Sequence, residues 1–161
     1  MILLSVKAGL RAAEIAALTW PMVTDSGGHI GRMIELPSSS AKCGSGRRIP
    51  LHDNLRRALK LLAMETGEID GPVISSERAG KPMTAKSIVN WFHQMYTQLG
   101  LEGCSSHSGR RTFITQAARL IHKAGGSLRD VQQLAGHRSL KTTEGYIEGD
   151  GVAQQKLIRL I

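Results

Sequence analysis

The chain has 161 residues and carries 21 Lys and Arg against 13 Asp and Glu, a formal charge of +8. That length supports one ordinary core and excludes two comfortable domains, while the positive excess points to a polyanionic partner without separating DNA from RNA or an anionic membrane surface. Two cysteines, Cys43 and Cys104, exclude a disulfide framework, and the apolar opening Met1-Ile-Leu-Leu-Ser-Val is far shorter than a bilayer span of about 20 residues. A cytoplasmic protein with no membrane partner is expected.

Residues 1–8 predict a short buried helix capped by Gly9, and residues 12–18 a second one with Leu10, Ile15 and Leu18 on one face. Trp20-Pro21 breaks it. Residues 22–36 and 47–51 read as short strands of a small antiparallel sheet, joined by Gly- and Ser-rich turns, with Lys42 in the loop between them. Asp53 is the expected N-cap of a helix through Thr66, with Leu55, Leu59 and Leu62 inward and Arg56, Arg57 and Lys60 outward. Gly67 closes that helix.

Residues 84–99 predict a helix burying Ile88, Trp91, Phe92 and Met95, stopped by Gly100. His107 opens a helix to about Lys123, with Arg110 one turn along on nearly the same face. Ser127 and Asp130 form the ends of a capping box for a helix to Ala135, and Gly136 ends that helix beside His137. Ser139 is a candidate cap for the segment presenting Tyr146, and residues 152–161 suggest a final helix seeking a groove, its own or a neighbouring protomer's. The expected class is mainly α with a small antiparallel β-sheet, α+β, in a single domain over residues 1–161.

The chemistry gathers around Tyr146. A phenol, with an ordinary pKa of about 10, attacks a phosphodiester only if it loses its proton and the charge on the phosphorane is neutralised. Arginine suits that task because its planar fork gives two parallel bonds to phosphate oxygens and stays protonated, while histidine and lysine also move protons. Such residues occur in four stretches: Gly9-Leu10-Arg11 with Glu14, Lys42 with Gly44 and Arg47, His107-Ser-Gly-Arg110, and Gly136-His137 leading to Tyr146.

In this order and spacing the set resembles the catalytic domain of tyrosine recombinases, the phage-integrase-type enzymes. The resemblance covers nearly the whole chain. It implies a site-specific DNA recombinase that cuts and rejoins DNA through a 3′-phosphotyrosine at Tyr146. Arg11 and Arg110 would clamp the phosphate, His107 and His137 would donate hydrogen bonds or handle protons, and Lys42 would protonate the leaving 5′-hydroxyl.

No metal, nucleotide or other cofactor is implied, and Cys104-Ser-Ser-His107 is half a zinc site without a second half. The implied partners are double-stranded DNA, further copies in a tetramer on that DNA, and a separate DNA-clamping domain, since the N-terminal core-binding domain of the family is absent from this sequence. Gly109 and Arg111 depart from the family pattern around Arg110, and Glu148 stands where a histidine is common. Gly109 inside a helix costs up to about 1 kcal/mol against alanine. Two other readings fit the residues: a non-cutting DNA-binding remnant, and a type IB topoisomerase-like enzyme.

Overall fold

The computed structural model describes residues 1–38, 46–67, 70–76 and 81–147, together with Gln155, Ile158 and Arg159. Lys42, Cys43, Glu148 and most of the expected C-terminal helix lie outside the described residues.

The chain begins with α1 (Ile2–Ala8), which ends at Gly9 in the left-handed conformation, φ 63°. A side chain at Gly9 would be strained by that φ and would also overlap the ring of Phe113, so glycine serves both the cap and the approach of a later helix. Helix α2 (Ala12–Ala16) follows, shorter than its apolar spacing predicts. Leu10, Ile15 and Leu18 are all buried as expected.

Strands β1 (Met33–Leu36) and β2 (Arg47–Pro50) form the antiparallel sheet, with Ile34 opposite Ile49 and Leu36 opposite Arg47. Most of residues 22–32 are not strand. A bridge between Thr24 and Ile30 brackets a turn in which the Asp25 carboxylate accepts the backbone N–H groups of Gly27 and His29, both at 3.0 Å. That local bonding satisfies the backbone without a partner strand.

Helix α3 (Asp53–Thr66) begins one residue earlier in its capping than the sequence suggests. His52 is the N-cap, its Nδ1 accepting from the backbone N–H of Asn54 at 3.1 Å, and Asp53 lies in the first turn. Arg56 is not an outward, solvated side chain: its Nε donates to Gly31 O at 2.8 Å and its Nη2 to Ile30 O at 3.1 Å, tying α3 to the loop before β1. Loop carbonyls without a strand partner offered acceptors that a helical-face argument cannot see.

Helices α4 (Ala85–Gln98), α5 (Ser108–Leu120), α6 (Leu128–Ala135) and α7 (Leu140–Glu144) complete the fold. The capping box at Ser127 and Asp130 is formed. Helix α2 packs on α4 and α1 packs on α5. The crossing of α1 and α5 explains Gly109: a Cβ there would overlap Ser5 Oγ and stand 2.9 Å from Val6 Cγ1. What the helix loses in propensity it regains as close approach, which brings Arg110 against the end of α1.

Two apolar clusters result. The larger joins α1 to α4 and the sheet through residues such as Trp20, Ile34, Ile49, Leu55, Ile88 and Phe92. The smaller lies between α5 and α6 around Ile114, Ala118, Val131 and Ala135, with Tyr146 packed against it. Among the described residues no helix is long and apolar enough to cross a membrane.

Candidate active site

The site begins at a buried carboxylate. Glu14 is fully buried, and its Oε2 accepts the backbone N–H of Arg11 at 2.8 Å while its Oε1 accepts Arg11 Nη1 at 2.9 Å. Arg11 is thereby held at the start of α2, with its side chain one-fifth exposed. Arg47, brought in by β2, lays its fork on the same carboxylate, Nη1 to Oε1 at 2.8 Å and Nη2 to Oε2 at 3.0 Å. Its Nε donates to Leu134 O at 2.9 Å. Burial alone would raise the Glu14 pKa, but the hydrogen bonds from Arg47 and Arg11 outweigh it and hold the carboxyl below its ordinary range.

Arg110 is 1% exposed, on the inner face of α5. Its Nη1 donates to Gly9 O, and its Nη2 donates to Ala135 O at 2.6 Å and to His137 Nε2 at 3.0 Å. Its Nε is buried and has no acceptor among the described residues. An unmade bond of that kind costs about 1–3 kcal/mol. Burial first, then the charge of Arg11, pull the Arg110 pKa down to about 10, with Glu14 acting in the opposite sense; the guanidinium stays charged at neutral pH.

Gly136 ends α6 with φ 61° and leaves room for Arg47, whose Nη1 would stand 2.7 Å from a Cβ at that position. His137 follows, anchored by Gln132, whose Nε2 donates to His137 O at 3.0 Å. The imidazole Nδ1 lies 3.0 Å from Oγ1 of the fully buried Thr143. Burial, then Arg110, Arg11, Arg47 and His107, lower the His137 pKa to about 4, so the ring is neutral at pH 7. Tyr146, just past α7, stacks on it with centroids 5.6 Å apart and planes 21° from parallel. The Tyr146 carbonyl accepts from Thr115 Oγ1 at 3.3 Å.

Five of the six residues singled out by sequence, Arg11, His107, Arg110, His137 and Tyr146, thus come together. His107 occupies the exposed N-terminal edge of α5, its N–H donating to Ser105 Oγ at 3.2 Å. Lys42, the sixth, lies outside the described residues. Arg47 was named only as a companion of Lys42, with no role of its own, and Thr143 was not singled out. Arg47 had a legible signal, because it shares a strand face with the inward Ile49 while its neighbour Arg48 points out and pairs with Glu35 at 2.9 Å. Thr143 had none that separates it from Thr142.

Two guanidinium groups therefore grip one carboxylate, and a third, that of Arg110, lies within range of its charge beside a neutral imidazole and a half-buried phenol. The uncompensated positive charge, held in place by protein acceptors, suits an anion with several oxygens.

The fold is that of tyrosine recombinase catalytic domains. The transposon Tn1549 integrase, solved in complex with circular intermediate DNA, superimposes with a TM-score of 0.74 at 20% identity, over 99% of this chain and 58% of that one. The XerA recombinase does so with a TM-score of 0.72 at 21% identity, over 99% and 56%. The XerC tyrosine recombinase of Xanthomonas campestris pv. campestris is 27% identical over 144 residues, 88% of this chain and 41% of that relative. The chain thus spans about two fifths of the length of that curated relative. Residues 1–151 match the model of the Phage integrase family, and the chain belongs to that family.

Proposed function

We propose that this domain cuts and rejoins double-stranded DNA at specific sites, with Tyr146 as the nucleophile. The observation that carries the reading is the convergence of Arg11, Arg47 and Arg110 on a single region that also holds His137 and Tyr146. A scissile phosphate entering there would meet a guanidinium from α2 and one from α5, preorganised where charge develops in the transition state. The orphaned Arg110 Nε supports the reading further, because a phosphate oxygen reaching it would relieve an unmade bond.

In the proposed step the Tyr146 oxygen attacks phosphorus as its proton departs. The phosphorus–oxygen bond to the 5′ side breaks, and a 3′-phosphotyrosine and a free 5′-hydroxyl result. Lys42, by family resemblance, donates the proton that the leaving oxygen takes up. Attack by a second 5′-hydroxyl reverses the step, so no metal or nucleotide is consumed. The proposal includes assembly as a homotetramer on the DNA and a separate domain that closes around the duplex.

The test is trapping on nicked duplexes of random sequence, from which the short downstream fragment bearing the new 5′-hydroxyl diffuses away after cleavage, leaving the protein attached to the 3′-phosphate. Covalent DNA adducts that disappear in Tyr146→Phe are expected. Salt-sensitive DNA binding with no adduct would instead indicate a non-cutting DNA-binding remnant, and relaxation of supercoiled plasmid without exchange between sites would indicate topoisomerase action.

A further inference from the structure

We propose that Thr143 is a positioning residue that fixes the tautomer of His137, keeping one proton on Nδ1 and reserving Nε2 as the atom where any further proton arrives. The catalytic consequence rests on the strand-transfer reading above, whereas the tautomer is a property of the protein without DNA.

The assignment follows from donors and acceptors. A guanidinium has only N–H donors, and Arg110 Nη2 lies 3.0 Å from His137 Nε2, so Nε2 presents its lone pair. A neutral imidazole has one N–H, which must then be on Nδ1. That N–H points at Thr143 Oγ1, 3.0 Å away, which accepts it. Thr143 is fully buried, so no solvent replaces this acceptor. Its backbone carbonyl also accepts the Tyr146 N–H at 3.1 Å. One residue thus holds the imidazole by its hydroxyl and the tyrosine by its main chain.

This arrangement directs what a phosphate would do. A negative charge entering the cluster favours the imidazolium, and with Nδ1 already protonated, a proton from water can add only at Nε2. The new N–H then opposes Arg110 Nη2, which gives up its bond to the ring. Both groups become donors toward the same anion. Thr143 accepts from Nδ1 in either state, so the ring need not turn.

Long-range proton–nitrogen correlation spectra of the free protein test this directly, with the His137 signals assigned by their loss in His137→Gln. The wild type and Thr143→Ser should both show protonated Nδ1 and bare Nε2, and Thr143→Val should lose that preference. Where Thr143→Val does not fold, Thr143→Ala serves the same purpose. On nicked DNA, Thr143→Val should slow adduct formation about 10-fold, the lower end of what partners orienting metal-bound histidines are worth, with unchanged DNA affinity and recovery in Thr143→Ser. A wild-type ring protonated on Nε2, or a valine variant with the wild-type tautomer, overturns the proposal. Absence of any adduct in the wild type would count against the strand-transfer reading alone, because the spectra need no DNA.

Discussion

Arg11 and Arg47 reach the site from the larger apolar cluster and are locked there by four hydrogen bonds to one buried carboxylate. His137 and Tyr146 stand on the smaller cluster, held by a ring stack and by neutral hydrogen bonds received from Thr115 and Gln132 and donated to Thr143. Charge-assisted bonds are roughly twice as strong as neutral ones, and an aromatic pair adds only about 0.5–1.5 kcal/mol. The half that would bind the phosphate is therefore built stiffly, and the half that would attack it is built on weaker contacts. Arg110 belongs to both, because its donors span the end of α1, the end of α6 and His137.

The contrast can be broken most severely at Glu14. Glu14→Gln leaves two guanidinium groups without their counter-charge, one of them only 5% exposed, and removing one partner of a buried pair costs about 3–5 kcal/mol. Denaturant melts should show that loss. Equal stability in the variant would mean that the carboxylate does not organise the site.

Arg110→Ala strikes the junction. It should remove about 3 kcal/mol of transition-state stabilisation, read as a 10²-fold or greater loss of adduct formation. It should also lower stability, because Gly9 O and Ala135 O lose their donor. A variant as stable as the wild type would show that these carbonyls are satisfied in another way.

Gly109→Ala tests the packing beneath the junction. An added methyl overlaps Ser5 Oγ and presses on Val6, which should cost about 1–3 kcal/mol despite the gain in helix propensity. Ser5→Ala in the same chain should recover part of the loss. A stabilised Gly109→Ala would refute the close crossing of α1 and α5.

The pH dependence separates the two halves. His137 has its pKa depressed from 6.5 to about 4, so the folded state binds fewer protons than the unfolded one and stability falls as pH drops through that window. Glu14, also depressed, adds its share only as pH falls below its ordinary 4.5. Melting in His137→Gln should be flatter between pH 6.5 and 4.5, with the steeper loss below 4.5 retained. An unchanged upper slope would assign it to another group.

Much of this was legible in the sequence because the signals were local. Gly9, Gly67, Gly100 and Gly136 all mark left-handed helix ends, and the apolar periodicity of α3 and α4 matches their buried faces. Helical spacing placed Arg110 one turn into α5 after His107, but not the difference in burial between the exposed His107 at the N-cap and the buried Arg110. Contacts between distant stretches were not legible: Arg47 meeting Glu14 across 33 positions, or Arg56 closing on the carbonyls before β1. Gly109 was read as a weakness because propensity is local, whereas its reason is the approach of α1 from about a hundred residues away.

The most direct measurement is the residue to which DNA becomes attached. After trapping on nicked duplexes, nuclease and protease digestion followed by mass spectrometry should find a nucleotide linked through phosphate on the peptide containing Tyr146, with fragmentation assigning it to the phenol. Attachment at another side chain, or no attachment under conditions in which the protein binds the DNA, would contradict Tyr146 as the nucleophile.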